Sequence, residues 1–242
     1  MVKYVFVIWL LIYSSLFSQP LVELNPNLST IETVRYYYLG SYHAIVGTPV
    51  GEGPFQVIIY SYDEIYDWSG ELLANRIGYN LEEIARYFSK RGYLCVIPLN
   101  RYRKINAIKG ITAFLQSNAL AKKDDIHLVG MSEGAFMNMI IAHQIPGFKS
   151  LVCVAPIMIN DKGALSYKEF LYYDSKNLDL AVMFLFVYDV GWRIKQQQRL
   201  AKLLEKFYPT MTLRRYNKEK RYFFNINYYG HVIDDFIKNQ SR

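Results

Sequence analysis

Three side chains, far apart along the chain, could together cleave an acyl bond: Ser132, Asp189 and His231. Ser132 is the centre of Gly130-Met131-Ser132-Glu133-Gly134, a Gly-x-Ser-x-Gly pentad. The apolar run Ile126 to Val129 enters the pentad, and a helix-like stretch, Met137 to Gln144, leaves it. A serine on such a sharp strand-to-helix turn presents its hydroxyl above the sheet, and the flanking glycines keep neighbouring chain clear of it. A serine hydroxyl is a poor nucleophile at neutral pH. The chemistry therefore needs a base to take its proton and a carboxylate to hold that base in the useful tautomer. His231, in Tyr229-Gly230-His231 ahead of Val232-Ile233, offers the base. Asp189, which ends the apolar run Ala181 to Tyr188, offers the acid, with Asp161 and Asp179 as rivals. His43, His127 and His143 lie where packing or solvent accounts for them.

The order Ser132, Asp189, His231 differs from the orders in chymotrypsin-like and subtilisin-like enzymes. In this order, and in the pentad with its strand and helix, the chain resembles the α/β-hydrolase family, and more loosely its compact dienelactone-hydrolase-like or esterase-like members. The resemblance covers residues 30 to 240. It implies that Gln56 to Tyr60 is the strand before the oxyanion loop, Leu81 to Arg91 the next helix, and Gly92 to Pro98 the strand after it. Asn100-Arg101 stands where many members carry an Asp-x-Arg-Gly turn. The helix starting near Gln196 follows Asp189 at the distance usual for a family acid.

The chain departs from the family at one place. Members commonly carry His-Gly or His-Gly-Gly after the oxyanion-loop strand, whereas this chain has Ser61-Tyr62-Asp63-Glu64. The tetrahedral oxygen needs two backbone N–H groups aimed at it. Glu133, after the nucleophile, would supply one, and Tyr62 or Asp63 the other. The acidic side chains of this loop must then turn outward.

The elements that position these groups alternate. Val34 to Leu39 and His43 to Val46 read as early antiparallel strands. Strands are then expected at Gln56–Tyr60, Tyr93–Pro98, Asp125–Val129, Ser150–Ala155, Leu180–Tyr188 and Thr210–Tyr216, with a closing helix over Val232–Lys238. Continuous apolar runs between amphipathic helices predict an α/β fold: a mostly parallel central sheet with helices on both faces. Active sites of such sheets lie at the carboxyl ends of the strands. Residues 157–179 exceed a normal connection and could form a lid, a wall of an acyl pocket, or an ordinary surface helix. The strands holding Cys95 and Cys153 are not neighbours in the family's sheet, so the resemblance implies two buried free thiols.

At 242 residues and 52% hydrophobic, the chain can bury one sizeable core, and it shows no repeat or linker. Residues 1–18 read as a signal peptide: a cationic start at Lys3, an apolar stretch from Tyr4 to Tyr13, and small residues before Gln19. Residues 19–242 would then be a single domain, exported to the periplasm or beyond the cell, with no stable membrane insertion after processing. The net charge of +7 is spread along the chain, and its densest group, Arg214 through Arg221, reads as a solvated face. No zinc finger, RNP-like motif or phosphate loop points to nucleic acid.

The sequence thus predicts an exported serine hydrolase, a carboxylic ester hydrolase working through an acyl-enzyme without metal or organic cofactor. Its substrate would be a small-molecule ester or an acylated saccharide, the latter suggested by 22 tyrosines. A peptidase or acyltransferase with the same triad is the near alternative. A non-catalytic binding protein on the same fold is the distant one, motivated by the altered oxyanion loop.

Overall fold

A computed structural model describes residues 33–99, 104–158 and 179–240. The expected signal peptide, the Asn100-Arg101 turn, the rival acid Asp161 and most of the 157–179 segment lie outside the described residues. Eight strands form one sheet: β1 (Thr33–Leu39), β2 (Tyr42–Thr48), β3 (Phe55–Ser61), β4 (Tyr93–Pro98), β5 (Ala121–Met131), β6 (Phe148–Val154), β7 (Ala181–Tyr188) and β8 (Thr212–Glu219). Their order across the sheet is β1-β2-β4-β3-β5-β6-β7-β8. Strand β2 runs antiparallel to both β1 and β4, and every other pairing is parallel.

Seven helices are described: α1 (Ile65–Ser69), α2 (Glu71–Arg76), α3 (Leu81–Ser89), α4 (Lys104–Ser117), α5 (Glu133–Gln144), α6 (Gly191–Phe207) and α7 (Gly230–Gln240). Two short 3₁₀ turns, Lys220–Phe224 and Ile226–Tyr228, bridge β8 and α7. No described helix is long and apolar enough to cross a membrane.

The central strands carry continuous apolar runs, such as Val57–Tyr60 and Leu151–Val154, because both faces are covered there. Successive side chains leave a strand on opposite sides. Val57 and Ile59 of β3 therefore join Leu94, Val96 and Leu128 in one core, closed by Ile111, Leu115, Met139, Ile140, Leu200 and Leu204 of α4, α5 and α6. Ile58 and Tyr60 join Cys95, Ile97 and Val129 in the other, closed by Ile84 and Phe88 of α3 and Ile233 and Ile237 of α7. Helix α3 begins where Asn80 Oδ1 accepts the Glu83 N–H at 3.0 Å, satisfying one of its unpaired amide groups.

This order fixes where chemistry can occur. From β3 the chain crosses one way to β4, and from β5 the other way to β6. The carboxyl ends of β3 and β5 thus flank a topological switch point, where a crevice opens in sheets of this kind. Asp63 follows β3 and Ser132 follows β5.

Candidate active site

Ser132 is the single residue between β5 and α5, with φ 56° and ψ −118°. That backbone conformation is costly for a residue with a side chain, by about 1–3 kcal/mol, so surrounding contacts must impose it. They do. The Ser132 N–H donates to the Val154 carbonyl at 2.8 Å, and its carbonyl accepts the Phe136 and Ile157 N–H groups at 3.2 and 3.3 Å. The glycines of the pentad make the turn possible. A methyl group at Gly130 would lie 2.6 Å from the Ala135 backbone, and one at Gly134 would strike the Ser61 carbonyl. Helix α5 therefore presses its first turn against the ends of β3 and β5, placing its positive end beneath the serine.

Among the described residues, the partner of Ser132 Oγ is Lys220. Its Nζ donates to Oγ at 3.0 Å and lies 2.6 Å from Asp63 Oδ2, an ion-pair contact rather than an aligned hydrogen bond. All three groups are enclosed: Ser132 is 0% exposed, Asp63 1% and Lys220 8%. Lys220 opens the first 3₁₀ turn, whose Phe223 and Phe224 are drawn into the core against Tyr229 and Tyr79, with ring centroids 5.5 and 5.1 Å apart. These aromatic anchors bring the lysine stem inward. Asp63 is held from two sides, its Oδ1 accepting the Ile65 N–H at 2.9 Å and its N–H donating to the Tyr79 hydroxyl at 2.7 Å.

The structure does not join the expected triad. Helix α7 starts at Gly230, one residue before His231, and buries Gly230, Ile233, Asp234 and Ile237. With 3.6 residues per turn, that spacing sends His231 to the solvent side, where it is exposed and bonded to neither Ser132 nor Asp189. Asp189 does follow β7, yet it serves the start of α6. Its Oδ1 accepts the Val190 N–H at 2.8 Å, and its Oδ2 lies 3.6 Å from Arg193 Nη1. The oxyanion loop also differs. The Asp63 amide is committed to Tyr79, which removes it as the second donor, and its carboxylate turns inward to Lys220 rather than outward. Tyr62 remains the candidate beside Glu133, whose backbone lies in the first turn of α5.

Lys220 was missed because it belongs to the basic stretch read as a solvated face. Burial pattern along β8 supports that reading up to Glu219, and only the aromatic pair Phe223-Phe224 marks the turn inward.

A second grouping only looks catalytic. His127 Nδ1 lies 2.8 Å from Ser150 Oγ, and its Nε2 lies 3.1 Å from Asp125 Oδ1. His127 lies inside β5 and Ser150 near the amino end of β6, fully enclosed and away from the carboxyl ends of the strands where the crevice opens, so this grouping reads as packing within the sheet. Cys95 and Cys153 are free and buried, on β4 and β6 with β3 and β5 between them, and burial pushes both thiols up. Among the described residues no group of three or more His, Cys, Asp or Glu could hold a metal ion.

No family model and no curated protein matches the chain. Solved structures do match it. One is an α/β hydrolase from a Medee basin deep-sea metagenome library, 10% identical, with a TM-score of 0.60 over 87% of this chain and 100% of that one. The chain has the α/β-hydrolase fold. An esterase from Thermogutta terrifontis is 10% identical, with a TM-score of 0.58 over 86% of this chain and 94% of that one. An S-formylglutathione hydrolase from Staphylococcus aureus is 12% identical, with a TM-score of 0.61 over 88% and 96%. At these identities the likeness concerns the α/β-hydrolase fold and not the reaction.

Proposed function

We propose that the protein is a serine hydrolase that cleaves a carboxylic ester through an acyl-enzyme on Ser132. The observation that carries this reading is the backbone of Ser132 at φ 56°, at the switch point of the sheet. Strain of this kind persists where geometry serves a purpose, and here it lifts one hydroxyl over a helix N-terminus. The Glu133 amide, with Tyr62 as its companion, would receive the tetrahedral oxygen. Small esters or acylated saccharides are the substrates this reading favours, and residues 1–18, if a signal, would place the enzyme in the periplasm or outside the cell. Peptide amides and acyl transfer are neighbouring reactions of the same nucleophile.

One observation favours a second reading. An ammonium that donates to Ser132 Oγ, itself paired with a carboxylate, holds the hydroxyl as an acceptor and suits a binding protein that has kept the fold. A fluorophosphonate probe separates the two. Labelling of the wild-type protein that disappears in Ser132→Ala supports the hydrolase. A wild type that stays unlabelled and turns over no member of a panel of acetyl, butyryl, aryl and sugar esters leaves the binding reading.

A further inference from the structure

Resting on that reading of Ser132 as nucleophile, we propose that Lys220 is the general base and acid of the site and Asp63 its positioning partner. The imidazole and carboxylate expected from the sequence are absent from the hydroxyl, and these two residues stand where they were to be. Lysine is suited to the task, because an enclosed amine exchanges its proton readily whereas a guanidinium does not. Serine–lysine pairs are a known alternative to the serine–histidine arrangement in hydrolases.

The geometry supplies each requirement. Nζ is already within hydrogen-bond distance of the reacting oxygen, at 3.0 Å. Asp63 Oδ2, 2.6 Å from the same nitrogen, fixes its direction as a carboxylate fixes an imidazole. The Asp63 loop is in turn anchored by Tyr79 and by the Ile65 amide. Nothing in this chain of contacts involves His231 or Asp189.

Lys220 first releases one proton to solvent and becomes an amine. As Oγ bonds to the ester carbonyl carbon, its proton passes to Nζ, and the carbonyl electron pair moves to oxygen. The ammonium then donates that proton to the departing alcohol oxygen as the carbon–oxygen bond breaks. In the second half a water gives a proton to Nζ while its oxygen attacks the acyl carbon. The acid leaves, and Oγ recovers the proton. Asp63 stays ionised throughout and stabilises the ammonium whenever it forms.

Among the described residues, the carboxylate paired with this nitrogen is that of Asp63. Asp63 faces it from the loop after β3, and Glu133 sits beside the nucleophile on α5. Glu219, adjacent in sequence, turns to Arg221 at the surface at 2.7 Å. Asp63 is therefore the group whose removal should move the pH dependence.

The test compares the rate of fluorophosphonate labelling and of p-nitrophenyl acetate hydrolysis in the full chain. The Lys220→Met/Asp63→Asn double variant avoids leaving one buried charge unpaired, so it retains the fold, checked by circular dichroism. It should react about 10²–10⁴-fold more slowly than wild type. Lys220→Arg should be equally slow, since arginine cannot give up its proton. His231→Gln should react as the wild type does. In Asp63→Asn the limb of kcat/KM that rises with pH should shift to lower pH, because the ammonium has lost its counter-ion. A purely structural role would lower activity without moving that limb. Ser132-dependent labelling that survives in the double variant and is lost in His231→Gln overturns this assignment alone. A wild type unreactive to every probe overturns both it and the hydrolase reading.

Discussion

Ser132 Oγ and Lys220 Nζ, 88 positions apart in sequence, meet at 3.0 Å in an enclosed crevice. The relationship is built from opposite ends of the sheet's second half. Strand β5 delivers the serine next to β3, while the lysine arrives from the turn after β8, at the sheet's edge. Phe223 and Phe224 make the reach possible by seating that turn in the same core that holds Tyr60 and Tyr79. The carboxylate that completes the group comes from the loop normally reserved for oxyanion donors, so one substitution of loop chemistry is coupled to another. A carboxylate there is tolerable because a cation stands opposite it, and that cation occupies the nucleophile's hydrogen-bonding direction.

The strain at Ser132 has a measurable signature. Ser132→Gly and Ser132→Ala both delete Oγ and its bond to Lys220, but only glycine adopts φ 56° without cost. In ordinary backbone, glycine is the less stable of the two by about 0.5–1 kcal/mol. Here the order should invert, with Ser132→Gly more stable than Ser132→Ala by about 1–2 kcal/mol. For a domain of this size that separates their thermal midpoints by about 2–8 °C. Equal midpoints, or alanine on top, would show that the turn is not strained.

Much of this arrangement was legible in the residues, and what was not has identifiable causes. The apolar runs around Val57, Leu94 and Val152 read as strands covered on both faces, and the turn at Ser132 agrees with the spacing of Gly130 and Gly134. The strand expected at Tyr93–Pro98 is β4, with the same bounds. Side-chain direction was harder. Helix α7 begins at Gly230, two residues before the expected Val232, so His231 lies in its first turn on the exposed side, and local sequence does not fix helix starts that closely. Asp189 reads equally well as a triad acid or as a group serving the following helix, because both roles need a carboxylate at the end of β7. Lys220 was hidden for a different reason. Its inward path is dictated by long-range packing of Phe223 and Phe224, while its immediate neighbours are those of an exposed basic strand.

Acid sensitivity should trace to the opposite end of β5. Burial would raise the Asp125 carboxyl, but its contacts with His127, Lys122 and Gln56 outweigh that and hold it well below the usual carboxylate range. Lys122 Nζ and Gln56 Nε2 donate to Oδ2 at 2.7 and 2.9 Å. A carboxyl lowered in the folded state binds its proton more readily when unfolded. Its stabilising contribution is therefore complete above the unfolded value, about 3.9, and is lost progressively as pH falls toward the folded one. Urea midpoints of wild type and Asp125→Asn, compared from neutral pH downward, should differ most near neutrality and converge below about pH 4. A gap that stays constant across that range would remove Asp125 as a source of acid lability.

The Tyr79 hydroxyl links the core to the chemistry, and its removal should affect stability and rate together. It accepts the Asp63 N–H at 2.7 Å and sits 3.3 Å from the Tyr60 hydroxyl, which lies 3.1 Å from that of Tyr229. All three phenols are fully enclosed, and burial raises each well above its ordinary value, so they remain neutral hydrogen-bonding groups. Tyr79→Phe leaves the Asp63 amide buried without an acceptor, at a cost of about 1–3 kcal/mol. It also loosens the loop that aims the carboxylate at Lys220, so labelling of Ser132 should slow. Tyr60→Phe is the control. It breaks the row of hydroxyls at a similar cost in stability but leaves the Asp63 amide paired with Tyr79. Chemical denaturation should therefore rank the two variants together, while probe kinetics should set Tyr79→Phe apart. Equal labelling rates in both would mean that the hydroxyl row supports the core and does not govern the position of Asp63.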